Sequence, residues 1–258
     1  MRNYIGNKEV NLSIIVMISK GCCMKALIMI LSMIPLLCSA EALLVFNTTG
    51  KSPLNTKNGD GFMDKVTEIA LSRIGYKLQL VKLPAERGLV NVNQGLDDAE
   101  MSRIAGLNKI YPNLKQVPEK IMDWKFVVFS KKNIDLKDGW SALSGKNVAF
   151  INGWKILEKN VPDSANINKV KTDNQLFLLL EKDRTDFVIY EKWSGLEIIK
   201  NNNYKDIRLI EPPLAVKDMF IYLNKKHDHL VEPLSASLKS MKADGSYQQL
   251  EQNILYRK

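Results

Sequence analysis

The 258-residue chain is poor in the residues that most enzyme chemistry requires. It has two histidines and three cysteines, and the cysteines, Cys22, Cys23 and Cys38, all stand within the first forty positions. The rest of the sequence contains no thiol, which excludes a disulfide framework or a cysteine nucleophile there. His227 and His229 lie two apart at an expected strand-to-helix turn, without the cysteine or carboxylate spacing of a zinc site. No phosphate loop or dinucleotide fingerprint is present, and nothing points to a Ser-His-Asp arrangement. The expectation is therefore a protein without a cofactor, a metal or a catalytic set. Low-complexity tracts, blocks of like charge and fixed-period repeats are missing as well. A chain of this length that is 45% hydrophobic has enough apolar material for one large domain or two lobes of about 100 residues each.

A membrane-spanning run is also lacking. The apolar stretch 26–37 holds about a dozen residues, short of the roughly twenty that a spanning helix needs. It follows Lys25 and leads into Cys38-Ser39-Ala40. A charged start, a short apolar middle and small residues at the exit describe a secretory signal peptide over 1–40, cleaved after Ala40 or Ala42. Met24-Lys25 makes a natural start for such a peptide, so either Met1 or Met24 begins the protein and 1–23 reads as an upstream extension. The alternative is an uncleaved anchor. Leu37 argues against a lipid-anchored Cys38. Of the formal charge of +9, part belongs to this segment, which holds Arg2, Lys8, Lys20 and Lys25 against Glu9. The remaining 33 basic and 27 acidic groups are scattered, which describes a solvated surface and not a nucleic-acid footprint.

Beyond the signal, strand and helix alternate. A buried strand over 43–46 is followed by a turn-rich loop, 47–61, and a helix over 62–74 with Phe62, Val66, Ile69, Ala70 and Ile74 along one face. An alternating strand over 76–81 and a helix from Pro84 to Gly95 come next. The rhythm resumes with strands over 124–130 and 147–151, a helix from Trp154, a helix over 175–182 and a strand over 187–190. Strands over 207–210 and 219–223, separated by Pro212-Pro213, and helices from His229 to the C-terminus complete it. Two such sets imply two α/β lobes, each with a mostly parallel sheet flanked by helices; a single open α/β domain is the alternative.

The order of these elements and their motifs resembles the family 3 extracellular solute-binding proteins, the amino-acid receptors of ABC importers. The marks are Gly61-Phe62-Met63-Asp64 opening the first helix, Leu83-Pro84-Ala85-Glu86-Arg87, and Gly95-Leu96-Asp97-Asp98 followed by Ser102-Arg103. They continue with Tyr111-Pro112-Asn113-Leu114, Asn152-Gly153, Asp186-Phe187-Val188-Ile189-Tyr190-Glu191, Leu223-Asn224-Lys225-Lys226-His227 and Asp244-Gly245. The resemblance implies a two-lobed type II periplasmic-binding-protein fold with two hinge strands. Lobe 1 would comprise 42–127 plus 218–258 and lobe 2 would comprise 128–217, with hinges at Val127-Val128 and Lys217-Asp218-Met219. It also implies an exported, soluble, monomeric protein that closes on a small polar ligand and delivers it to an inner-membrane permease. A receptor for a membrane-bound sensor and a dehydratase-like periplasmic enzyme are the alternatives.

Within that frame Arg103 is the expected partner of a ligand carboxylate, since its guanidinium offers two parallel hydrogen bonds and does not lose its charge. It sits a few residues earlier than the family's usual arginine. Ser102 is a neighbouring hydroxyl donor or a helix cap. Glu191 is the expected acidic partner of a ligand ammonium, so that each lobe supplies one sign. Arg87 either faces the cleft or ties its loop to Asp97 or Asp98. Asn152, Gly153 and Trp154, between a strand and a helix, offer backbone N–H groups to an anion, and Thr172-Asp173-Asn174 repeats that setting, with Asp173 a ligand contact or a cap. Of the aromatic residues Phe46, Trp124, Trp154 and Tyr190, about half should face the ligand. Thr48 is placed at the cleft lip.

Overall fold

The structure, a computed structural model, describes residues 42–256. The expected signal peptide and all three cysteines lie outside the described residues.

Nine strands form one mixed, curled sheet in the order β2-β1-β3-β9-β5-β8-β6-β7, with β4 added on β9. The first half begins with β1 (Ala42–Thr48), α1 (Phe62–Ser72), β2 (Tyr76–Lys82), α2 (Ala85–Gln94), β3 (Ala99–Arg103) and β4 (Leu114–Gln116). β1 pairs in parallel with β2 and β3, as expected when helices carry the chain back over a sheet face. The second half contains β5 (Met122–Ser130), β6 (Asn147–Ile151), α3 (Lys155–Asn160), β7 (Asn166–Val170), α4 (Asp173–Glu181), β8 (Phe187–Glu191) and α5 (Lys192–Asn201). There β6 pairs in parallel with β7 and β8, while β5 runs antiparallel to β8. The chain then returns through β9 (Arg208–Asn224) and ends with α6 (Val231–Ala243) and α7 (Ser246–Ile254).

β9 joins the halves. Its first part pairs with β5, from Ser130↔Arg208 to Met122↔Met219, and its last residues pair with β3 and β4. The strands expected at 207–210 and 219–223 are thus one 17-residue strand. Pro212-Pro213 do not end it because the register against β5 shifts there, Phe126↔Ala215 being followed by Val128↔Ile210. The extra β9 residues form a bulge, where a proline has no ladder hydrogen bond to lose.

Each half has its own core. In the first, Phe46, Phe62, Met63, Val66, Leu71, Ile221 and Leu238 are buried between the sheet, α1 and α6. In the second, Val128, Phe150 and Ile189 fill one sheet face, and Phe129, Phe177 and Val188 the other. The near-continuous apolar runs of β6 and β8 follow from burial on both faces. Phe46, expected as one of four possible cleft aromatics, is fully buried in the first core. Helix α2 stops at Gly95, whose φ of 78° is a conformation that glycine adopts without strain.

Candidate functional site

Between the two halves lies a cleft of about 1580 Å³, floored by Trp124 and Phe126 of β5 and by Val216 to Phe220 of β9. Thr48 to Lys51, Leu83 to Ala85 and Ser102 to Ala105 line one wall. Ile151, Trp154 to Ile156, Lys159, Lys171, Asp173 and Tyr190 line the other. Of the residues expected from the sequence, Thr48, Ser102, Arg103, Trp124, Trp154, Asp173 and Tyr190 come together here.

Arg103 reaches the cleft through a distortion in β3. Glu100 pairs with Tyr222 and Arg103 with Phe220, three residues against two, so β3 carries a bulge. Residues three apart on a regular strand point to opposite faces; the bulge re-aims Arg103 so that its Nη2 lies 3.0 Å from Glu100 Oε1. The guanidinium also donates to Thr49 Oγ1 (3.3 Å) and to the Ala85 carbonyl (3.1 Å). Its Nε is buried without a partner, and so is the Ser102 hydroxyl beside it. Thr48, by contrast, spends its hydroxyl on Asn55 Oδ1 and the Gly50 N–H.

The opposite wall is aromatic. Trp154 stacks on Tyr190 at 5.1 Å between ring centroids and 11° between planes, and Phe126 meets Trp154 edge-on. Tyr190 donates to Asp173 Oδ2 (3.3 Å), which also holds Lys51 from the other wall. This ion pair crosses the cleft. The helix cap of α4 is Thr172, which accepts from Gln175 N–H (3.2 Å), so Asp173 is left to the cleft.

Other expected contacts are placed elsewhere. Glu191 is buried and turned into the start of α5, where its carboxylate accepts from the N–H groups of Trp193 (3.0 Å) and Ser194 (2.7 Å). An end-of-strand acid that caps the next helix is not available to a ligand ammonium. Burial pushes its carboxyl up to about 7, against the pull of the Ser194 and Trp193 N–H groups. A pKa raised in the folded state means stability that is full below the ordinary carboxyl value and is lost as the pH rises through about 7. Glu191→Ala is expected to cost about 2–3 kcal/mol by orphaning two buried donors, read as the midpoint of urea unfolding. Unchanged stability would show that the cap contributes nothing.

Arg87 is exposed on α2 and outside the cleft lining. Asp97 instead binds Asn47 and Asn91, and Asp98 binds the Val45 N–H, Lys226 and His227. Asn152 and Gly153 are exposed, and their N–H groups are already donated to the Val170 carbonyl (2.8 Å) and to Glu158 Oε1 (3.1 Å). Two contributors were missed. Glu100 carries a sequence signal, an acid inside the apolar pattern Ala99-Glu100-Met101, but it is informative only once 99–103 is known to be a strand. Lys51 carries none, because its partner lies 122 residues away.

Among the described residues no helix is long and apolar enough to cross a membrane, and no group of three or more His, Cys, Asp or Glu is disposed to hold a metal ion. No family model matches the chain. An uncharacterized protein of Shewanella oneidensis is 26% identical over 192 residues, covering 71% of this chain and 72% of that protein. Among solved structures, the GluR0 ligand-binding core in complex with L-glutamate matches with a TM-score of 0.72 at 13% identity, over 84% of this chain and 99% of that one. An amino acid ABC transporter substrate-binding protein from Streptococcus pneumoniae bound to L-arginine matches at 0.64 and 16%, over 84% and 96%. An ancestral amino-acid-binding protein, a precursor of cyclohexadienyl dehydratase, matches at 0.64 and 18%, over 83% and 95%. The chain therefore shares the two-lobed α/β fold of these ligand-binding structures.

Proposed function

We propose that the protein is an exported solute receptor that holds a small polar, amino-acid-like or carboxylate-bearing molecule in this cleft and hands it to an inner-membrane ABC permease. The observation that carries the reading is the pair Ser102 and Arg103. Both residues line the cleft and each keeps one buried polar atom without a protein partner, opposite a stacked Trp154–Tyr190 platform. Unmatched buried donors are costly, and a ligand oxygen on the guanidinium and hydroxyl removes that cost. The lobes would be 42–127 plus 218–258 and 128–217, pivoting in the β5–β9 ribbon near Val127-Val128 and Lys217-Asp218-Met219, with Lys51–Asp173 bridging the closed form. Export rests on the sequence of residues 1–40. Against a dehydratase-like role stands the position of Glu191: its raised pKa would suit a general acid, but the group is sealed against α5 and away from the cleft.

A thermal-shift screen with amino acids, polyamines and small organic acids tests the reading. A ligand at about a hundred times its dissociation constant should stabilise the fold by roughly 2.7 kcal/mol. If no compound in the panel raises the melting temperature, the receptor reading falls; if a retained compound is converted to product, the protein is an enzyme.

A further inference from the structure

We propose that the cleft takes its solute as an anion together with one proton, the proton residing on Glu100 behind Arg103. The inference rests on the receptor reading and specifies the charge class of its ligand. The first support is the lining of the cleft. Six lysines and Arg103 face it, against Asp173 and Asp218. Both acids are already held, Asp173 by Lys51 and Asp218 by Lys120. A cationic amino-acid side chain finds no open counter-charge there, whereas a carboxylate finds several.

The second support is the set of atoms behind Arg103. Glu100 is 1% exposed, and its Oε2 has no donor; Asn47 Oδ1, from β1, has none either. Both oxygens lie 2.6 Å from the point that a Cβ on Gly88 would occupy, so they flank the same spot beneath α2, and only glycine leaves room for them. Turning the Asn47 amide over does not solve the problem. Its Nδ2 donates to the Gly88 carbonyl (3.1 Å) and to Asp97 Oδ2 (2.9 Å), and a flipped oxygen would oppose both acceptors. A proton on Glu100 supplies the missing donor between two buried acceptors. The groups facing this carboxyl are Arg103 on its own strand, Asp97 ahead of it, Asn47 on β1 and Gly88 on α2. Tyr222, opposite on β9, directs its hydroxyl to Gln116 and the Ile104 carbonyl. Burial pushes the Glu100 carboxyl up to about 7, Arg103 pulls it down, and Asp97 adds to the rise.

The consequence is a coupling. Ionised, Glu100 neutralises Arg103, and Asp97 leaves the cluster with net negative charge, which repels an anion. Protonated, it leaves the guanidinium charge for the ligand. Anion and proton therefore bind cooperatively, and each strengthens the other by the same factor.

Isothermal titration of the purified protein with L-glutamate, succinate, L-glutamine and L-arginine, at about pH 5.5 and about pH 8.5 on either side of the Glu100 titration, decides the matter. The expected result is that an anionic probe binds and loses about tenfold or more in affinity at the higher pH. Wild-type protein should take up a proton on binding, read from the buffer dependence of the heat near neutral pH. Glu100→Gln, whose amide both donates and accepts, should keep the low-pH affinity at both values. A pH-independent affinity without proton uptake, or a slope that survives Glu100→Gln, overturns the coupling; the proton-uptake arm needs no variant. Binding of arginine alone overturns the anion assignment and leaves the receptor reading standing. No heat with any probe at either pH sinks both.

Discussion

Arg103→Ala should abolish retention of the solute, weakening binding by roughly 30-fold to several thousand-fold. That range corresponds to about 2–5 kcal/mol for truncating one partner of a buried charge pair. Among the described residues, Arg103 is the half-buried cleft-wall cation whose Nε is a buried donor without a partner, and its position depends on the β3 bulge. Arg103→Lys keeps the charge but not the planar fork and should recover only part of the affinity. The variant leaves Glu100 without its ion pair, yet a carboxyl already pushed up to about 7 relieves this by staying neutral. The fold should therefore survive, and melting of the ligand-free variant provides the check. Titration with whichever compound stabilises the wild type is the measurement. Affinity within threefold of wild type would place the ligand away from Arg103.

The largest loss of stability is expected from Asp64→Ala, about 3–5 kcal/mol. Asp64 stands at the third position of α1 and is fully buried. Its carboxylate accepts from Asn55 Nδ2 (2.5 Å), Thr56 N–H (2.9 Å) and Gly61 N–H (3.1 Å). It thus closes the 47–61 loop over the start of the helix whose face builds the first core. Alanine would leave three donors without an acceptor in a region with little access to water. The same loop carries Thr48, Thr49 and Lys51 into the cleft, so stability and binding should fall together. Equilibrium urea unfolding gives the number, and a loss below about 1 kcal/mol would show that water replaces the carboxylate readily.

The sequence by itself determined most of the alternation of strands and helices, though not β3, β4 or β7. Those features are written in local periodicity: Phe62, Val66 and Ala70 on one face of α1, the unbroken apolar runs of β6 and β8, and the glycine that stops α2. The family resemblance pointed to Arg103 and Ser102 for the cleft and offered Trp154 and Tyr190 among its possible aromatic walls, and all four line it. Tertiary structure decided what each charge was available for. Glu191 and Asp173 read alike in the chain, an acid next to a helix start. Yet Glu191 is consumed by the N–H groups of α5, whereas Thr172 caps α4 and frees Asp173 to meet Lys51 and Tyr190. The merging of 207–210 with 219–223 across two prolines, the bulge that turns Arg103 toward Glu100, and the unpartnered oxygens of Glu100 and Asn47 beside Gly88 all depend on partners distant in sequence. Periodicity reports which face of an element is buried; which polar atom finds a partner there is settled only when distant strands come into register.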